Sequence, residues 1–230
     1  MATISSGLPA KLRHALRAHI PFIAIGLAAM AALIALSPTL SRRLQYDRES
    51  IYLHQYWRLL SCHWSHWSIE HLSWDALTFV LLGAACERWS RTRFLVFLGI
   101  ATPLIPLVVH RMLPTINNYR GLSGIDAGLL TLLLAMVVRT QIGLRQYRFV
   151  ALAGAAFIAL AAKLVIEFGT GSTVFVTWSG VRVVPLPMAH LLGAVVGLVV
   201  GFARKPGETR RDARWVMEEA RASVGTVIAP

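Results

Sequence analysis

Cysteine, acidic side chains and charge of either sign are scarce in this chain. Only Cys62 and Cys86 occur among 230 residues. They lie on different segments in no CxxC or other ligand spacing, which excludes a disulfide framework or a zinc knuckle and leaves both as packing residues. No HExxH pattern is present, so the common zinc-protease helix is missing. Neither an internal repeat nor a series of polar residues at one midplane is found, which argues against a transporter or channel. Only 15% of residues are charged, and 11 Asp and Glu face 23 Lys and Arg, for a net charge of +12. What abounds is apolar: 56% of the chain is hydrophobic, more than an ordinary soluble domain of this size carries, so the bilayer is the expected solvent.

Apolar runs extend from Ile20 to Leu40, Leu72 to Cys86, Phe94 to Val109, Gly121 to Val138, Phe149 to Phe168 and Val183 to Ala203. A membrane helix needs about 20 residues, so the runs predict an all-α bundle of six transmembrane helices. Little chain is left for a separate soluble domain. The expected organisation is a basic segment 1–19, a six-span membrane domain 20–203 and a basic tail 204–230. The first run, preceded by Lys11, Arg13 and Arg17, has some character of a signal peptide with Ala35-Leu36-Ser37 as a poor cleavage site, but Pro38 directly after it disfavours cleavage.

A net charge of +12 would also suit a nucleic-acid binder, so the placement of the cations decides. They sit in the connections. Alternate connections hold 15 Lys and Arg on one side, including Arg88, Arg139 and Arg204, and 7 on the other, including Arg58 and Arg120, with Lys163 left inside a span. The positive-inside rule then puts both termini in the cytoplasm, and the charge is topological rather than a nucleic-acid footprint. The tail is read as a solvated extension, with a short basic helix on the lipid surface as the other option.

Ionisable or nucleophilic residues inside spans are costly and each needs a reason. The set is His66, His71, Asp75, Ser123, Asp126, Lys163, Glu167 and His190. Ser123 precedes the cytoplasmic Arg139 by 16 residues and His190 precedes Arg204 by 14; at 1.5 Å per residue that is about 24 and 21 Å, nearly one height. His71 and Asp75, one helical turn apart, bracket the same level from span two. Gly124 and Gly128 on span four, and Gly193, Gly197 and Gly201 on span six, are spaced for close helix contact. His190 shares the glycine face, so packing the two spans would bring serine and imidazole together. A serine hydroxyl needs a base to become a nucleophile, and histidine is the usual one. Ser123 at a helix N-terminus also has backbone N–H groups nearby for an oxyanion, Gly121 lets the chain bend there, and His71 can add a donor. Taken singly, Ser123 reads better as a helix cap than as a nucleophile, and His190 at least as well as a hydrogen-bonded packing residue as a base.

Together these residues resemble the rhomboid family of intramembrane serine proteases. The GxSG motif is Gly121-Leu122-Ser123-Gly124, and the later histidine lies in Ala189-His190-Leu191-Leu192-Gly193. His66, His71 and Asp75 resemble the family's span-two pattern, Trp57 and Arg58 its first-loop pair, and Glu87 the acidic residue closing span two. The resemblance implies a Ser123–His190 dyad, an oxyanion site of His71, Asp75 and Ser123 supported by His66, Gly121 and Gly124, no cofactor, and a multi-pass protein of the bacterial inner membrane. Tyr119 to Gly124 looks most like the rhombosortase branch. That implies membrane-anchored protein substrates with a C-terminal transmembrane anchor.

Two positions depart from the family pattern. Asp75 stands where many members have Asn, and Ala127 where a Tyr often follows the serine, which leaves the oxyanion site and the packing of His190 open. Asp75 is either a protonated donor or a charged partner that orients His71. Asp126 has no family role and is read as facing water or making a structural hydrogen bond. Lys163 and Glu167, four apart, are read as a buried ion pair rather than a catalytic site. The loop from Gly169 to Arg182 is either a lid or an ordinary connection. A metal site from His63, His66, His71, Asp75 and His190, and a non-catalytic client-binding relative, stand as rival readings.

Overall fold

The computed structural model describes residues 20–171 and 186–203. The expected N-terminal segment, the tail from Arg204 and most of the loop read as a lid lie outside the described residues. The fold is mostly helical. Helix α1 spans Phe22–Ala35 and α2 Pro38–Leu44. After the short strand β1, Tyr46–Asp47, come α3, Arg48–Tyr52, and α4, Arg58–Ser61, with a 3-10 turn at Cys62–Trp64. Next are α5, Ile69–Met112, the strand β2, Asn118–Tyr119, α6, Ser123–Gly143, α7, Tyr147–Thr170, and α8, Pro187–Phe202. Among the described residues α5, α6 and α7 are long and apolar enough to cross a bilayer, and the bent pair α1–α2 makes a fourth candidate. At 16 residues α8 is shorter.

One expectation about the runs changes. The first run is not one straight helix: α1 ends at Ala35 and α2 leaves at 117°. Pro38 disfavours helical backbone at Ser37, and the Ser37 side chain caps α2 by accepting from Leu40 N–H. The second and third runs form the two helical halves of α5, which meet in a kink at Ser90, whose φ of −156° and ψ of 93° are not helical. Near this break the buried Glu87 carboxylate accepts from the backbone N–H groups of Ala24 at 2.9 Å and Ile23 at 3.4 Å. It thereby closes the N-terminus of α1, which begins after Pro21 with no side-chain cap of its own.

The centre is the contact of α6 with α8. Methyl groups in place of the hydrogens of Gly193 and Gly197 would fall on the backbone oxygens of Gly124 and Gly128, so these helices approach to a distance that only glycine permits. Thr131 Oγ1 adds a bond of 2.8 Å to Ala194 O across the seam. Phe79, Phe94, Phe97, Ile105 and Leu129 fill the space toward α5 and are fully buried. At one end, Arg93 and Arg139 both donate to Ala203 O, at 2.7 and 2.8 Å, and so satisfy a carbonyl beyond the C-terminus of α8.

The polar connections are pinned by arginines. Arg48 donates to the carbonyls of Val109, His110, Leu113 and Ile116 at the end of α5. Arg58 reaches the carbonyls of Arg42 and Gln45. Arg120 bonds Gln45 Oε1 at 2.7 Å and His66 O at 3.0 Å while lying over the Trp67 ring. With the antiparallel pairing of Tyr46 to Tyr119 and Asp47 to Asn118, they fix the chain just ahead of Ser123 against the loop before α5.

Candidate active site

The backbone of the Gly121-Leu122-Ser123-Gly124 turn is held on several sides. Gly121 has a φ of 117°, which disfavours any side chain, and a methyl there would lie 2.8 Å from His71 Nε2 and 3.0 Å from Asp75 Oδ2. Its N–H donates to Cys62 O at 3.3 Å, and its carbonyl accepts from the Tyr119 hydroxyl at 3.2 Å. The next N–H, of Leu122, donates to Asp75 Oδ2 at 2.8 Å. Ser123 then opens α6.

His63 buttresses the same turn through a proline effect. Pro106 lacks the N–H that would bond the carbonyl of Thr102 one turn back, and His63 Nε2 takes that carbonyl at 3.0 Å. Its Nδ1 lies 3.4 Å from Gly121 O. Complete burial pushes the His63 imidazole down to about 4, so near neutral pH it carries one proton, which the shorter contact to Thr102 uses. Burial also holds His66 below the usual imidazole range.

Ser123 Oγ and His190 Nε2 are 3.0 Å apart, across the glycine seam of α6 and α8. His190 is buried and sits in the first turn of α8, while Ser123 is half-buried. The other imidazole nitrogen, Nδ1, is 2.9 Å from Glu167 Oε2 on α7. Glu167 Oε1 meets Lys163 Nζ at 2.5 Å, and that ammonium lies 3.5 Å from His190 Nδ1. The ion pair expected between Lys163 and Glu167 is present, but the carboxylate also reaches the imidazole, which its sequence spacing did not reveal. The count from Arg148 to Glu167, 19 residues or about 28 Å, places the carboxylate in the same outer half as His190 but more than a helical turn from its level, so it does not pick out the partner.

Serine, imidazole and the N-terminus of a helix in this arrangement can take a proton from a hydroxyl and stabilise a nearby anion. A family model of the Rhomboid domain matches residues 53–206. The chain belongs to the rhomboid family. It is an integral membrane protein from a family whose members are generally intramembrane serine proteases. No curated protein matches the chain.

Within this rhomboid the remaining polar residues form a second group beside Gly121. His71 Nδ1 accepts from Trp67 N–H at 3.4 Å, so its proton is on Nε2, 3.2 Å from Asp75 Oδ2. His66 Nε2 approaches the same oxygen to 3.3 Å without hydrogen-bond alignment. Asp75 Oδ2 therefore faces two donors, the Leu122 N–H and the His71 N–H, and accepts from both. Asp126 Oδ1 is buried with no hydrogen-bond partner among the described residues. The five side chains of the metal reading do not converge: His63 bonds carbonyls, His190 bonds Ser123 and Glu167, and only His66, His71 and Asp75 meet. Among the described residues no three His, Cys, Asp or Glu are grouped to hold a metal ion.

Proposed function

We propose that this rhomboid is an intramembrane serine endopeptidase with Ser123 as nucleophile and His190 as general base. The observation that carries the reading is the 3.0 Å approach of Ser123 Oγ to His190 Nε2, held by helices too close for any side chain at their glycines. In the acylation step, Nε2 takes the hydroxyl proton as Oγ attacks the scissile carbonyl. The tetrahedral oxyanion collapses, the C–N bond breaks, and His190 returns the proton to the leaving amine. Water, deprotonated by the same nitrogen, then hydrolyses the acyl ester and restores Ser123.

The Ser123 N–H, in a first helical turn where N–H groups lack intrahelical acceptors, is the backbone donor for the oxyanion. The Nε2–H of His71, which rests on Asp75 Oδ2, is shared with the oxyanion as it develops, while His66, Gly121 and Gly124 shape the turn. No cofactor enters the scheme.

Six spans with both termini cytoplasmic fit this chemistry. A straight helix the length of α5, 44 residues, would extend about 66 Å, over twice a hydrocarbon core of about 30 Å. The break at Ser90, set among Arg88, Arg91 and Arg93, therefore supports two spans joined at a basic connection. On this reading 1–19 and 204–230 flank a single catalytic domain, 20–203, in a bacterial inner membrane. The substrates are single-span proteins, and the resemblance of Tyr119 to Gly124 to rhombosortases favours C-terminally anchored exported ones. A reporter fused after Pro230 should read as cytoplasmic; an external signal would contradict the span count.

Co-expression with a single-span reporter tests the activity. Ser123→Ala and His190→Ala should each abolish cleavage to a similar extent, because the pair acts as one unit. Undiminished cleavage in both would refute it, and unchanged reporter binding with no cleavage by the unmodified chain would identify a client-binding relative.

A further inference from the structure

On α7 few residues are buried, only Ala153, Leu164 and Glu167, and one of them is a carboxylate. An i,i+4 ion pair on a lipid- or water-facing surface has no use for burial, since taking a carboxylate out of water is costly unless both oxygens are satisfied. Here they are satisfied by different groups: Lys163 Nζ meets Oε1 and His190 Nδ1 meets Oε2. We propose, building on the Ser123–His190 reading, that Glu167 is a positioning residue that fixes the tautomer of His190 and that Lys163 holds the carboxylate in place for it.

Donor inventory carries the argument. A neutral imidazole has one N–H, and an ionised carboxylate can only accept. Glu167 at 2.9 Å therefore places the proton on Nδ1 and leaves the Nε2 lone pair facing Ser123 Oγ, 3.0 Å away. An ammonium can only donate, so Lys163, 3.5 Å from the same Nδ1, favours the opposite tautomer. With the proton on Nε2 the imidazole cannot take one from serine. The nearer carboxylate decides between the two and binds the ammonium at the same time. When His190 becomes imidazolium, Glu167 also faces the new charge, the role of the third member in a Ser-His-acid triad.

The test uses the full-length protein reconstituted in bilayers and a fluorophosphonate, which Ser123 attacks at phosphorus with loss of fluoride. Glu167→Gln should lower the maximal labelling rate by about 100-fold or more, with the half-saturating probe concentration changed less than about threefold. Removing the competing ammonium as well, in Glu167→Gln with Lys163→Met, should restore at least about tenfold of the rate. Nitrogen-15 NMR of His190 in the unmodified protein reads the tautomer without any substitution. A protonated Nδ1 and an unprotonated Nε2 are expected, and a protonated Nε2 would overturn the proposal even if the Glu167 variants did not fold. A Glu167→Gln rate within about threefold of the unmodified rate, with Ser123→Ala and His190→Ala silent, would overturn this proposal alone. Labelling that persists in His190→Ala would remove the reading on which it rests.

Discussion

Asp75→Asn discriminates among the mechanisms most sharply, because the substitution changes charge and almost nothing in shape. The Asp75 Oδ2 atom accepts from Leu122 N–H at 2.8 Å and from His71 Nε2 at 3.2 Å. An asparagine oxygen in that place keeps both geometries but turns two charge-assisted bonds into neutral ones. The difference is about 1 kcal/mol for each, hence about 2 kcal/mol in all. If His71 and the Leu122-Ser123 backbone form the oxyanion site, that loss falls on the transition state, and at about 1.4 kcal/mol per tenfold the rate drops about 30-fold. The assay is the initial rate of cleavage of a reconstituted single-span reporter between about pH 6 and 9, with and without chelator. A protonated Asp75 donating to the oxyanion would be replaced faithfully by the amide, so full activity of the Asp75→Asn variant across that range would refute the charged-partner account. Inactivation of the unmodified protein by chelator alone would refute the serine mechanism itself.

Gly193→Ala should lower the thermal midpoint and labelling of Ser123 together, since its methyl would fall on the Gly124 carbonyl and overpacking costs about 1–3 kcal/mol. Gly154→Ala, where a methyl meets nothing within 4 Å, should lower neither; an unchanged Gly193→Ala protein would refute the close seam. For His63, the folded-state value of about 4 lies below the unfolded one of about 6.5. The unfolded chain binds the proton first, so this contribution to stability is complete above about pH 6.5 and is lost as pH falls toward 4. His63→Leu should cost about 1–3 kcal/mol at neutral pH by stranding the Thr102 carbonyl, and should flatten the decline in thermal midpoint on acidification. An equally steep decline in the variant would contradict a buried neutral imidazole.

Much of this geometry was legible in the sequence because a bilayer imposes a ruler. Counting residues back from Arg139 and Arg204 put Ser123 and His190 at one height, and glycine spacing identified the faces that touch. Both inferences use periodicity and charge, which act along the chain. Contacts set by tertiary structure were not legible in that way. The Lys163–Glu167 spacing announced an ion pair, but nothing local shows that the second carboxylate oxygen meets His190 on another helix. Likewise nothing local shows that His63 donates to the Thr102 carbonyl freed by Pro106, because that contact depends on the path of a loop 39 residues earlier. The first apolar run was long enough to span, and only the local chemistry of Ser37 and Pro38 turns it aside.

The central claim is that Ser123 is a nucleophile activated by His190. Intact mass and peptide mapping after fluorophosphonate treatment of the full-length protein, alongside Ser123→Ala and His190→Ala, test it most directly. The account predicts one adduct, on Ser123, in the unmodified protein and none in either variant. An adduct on another residue, or Ser123 labelled at an undiminished rate without His190, would contradict it.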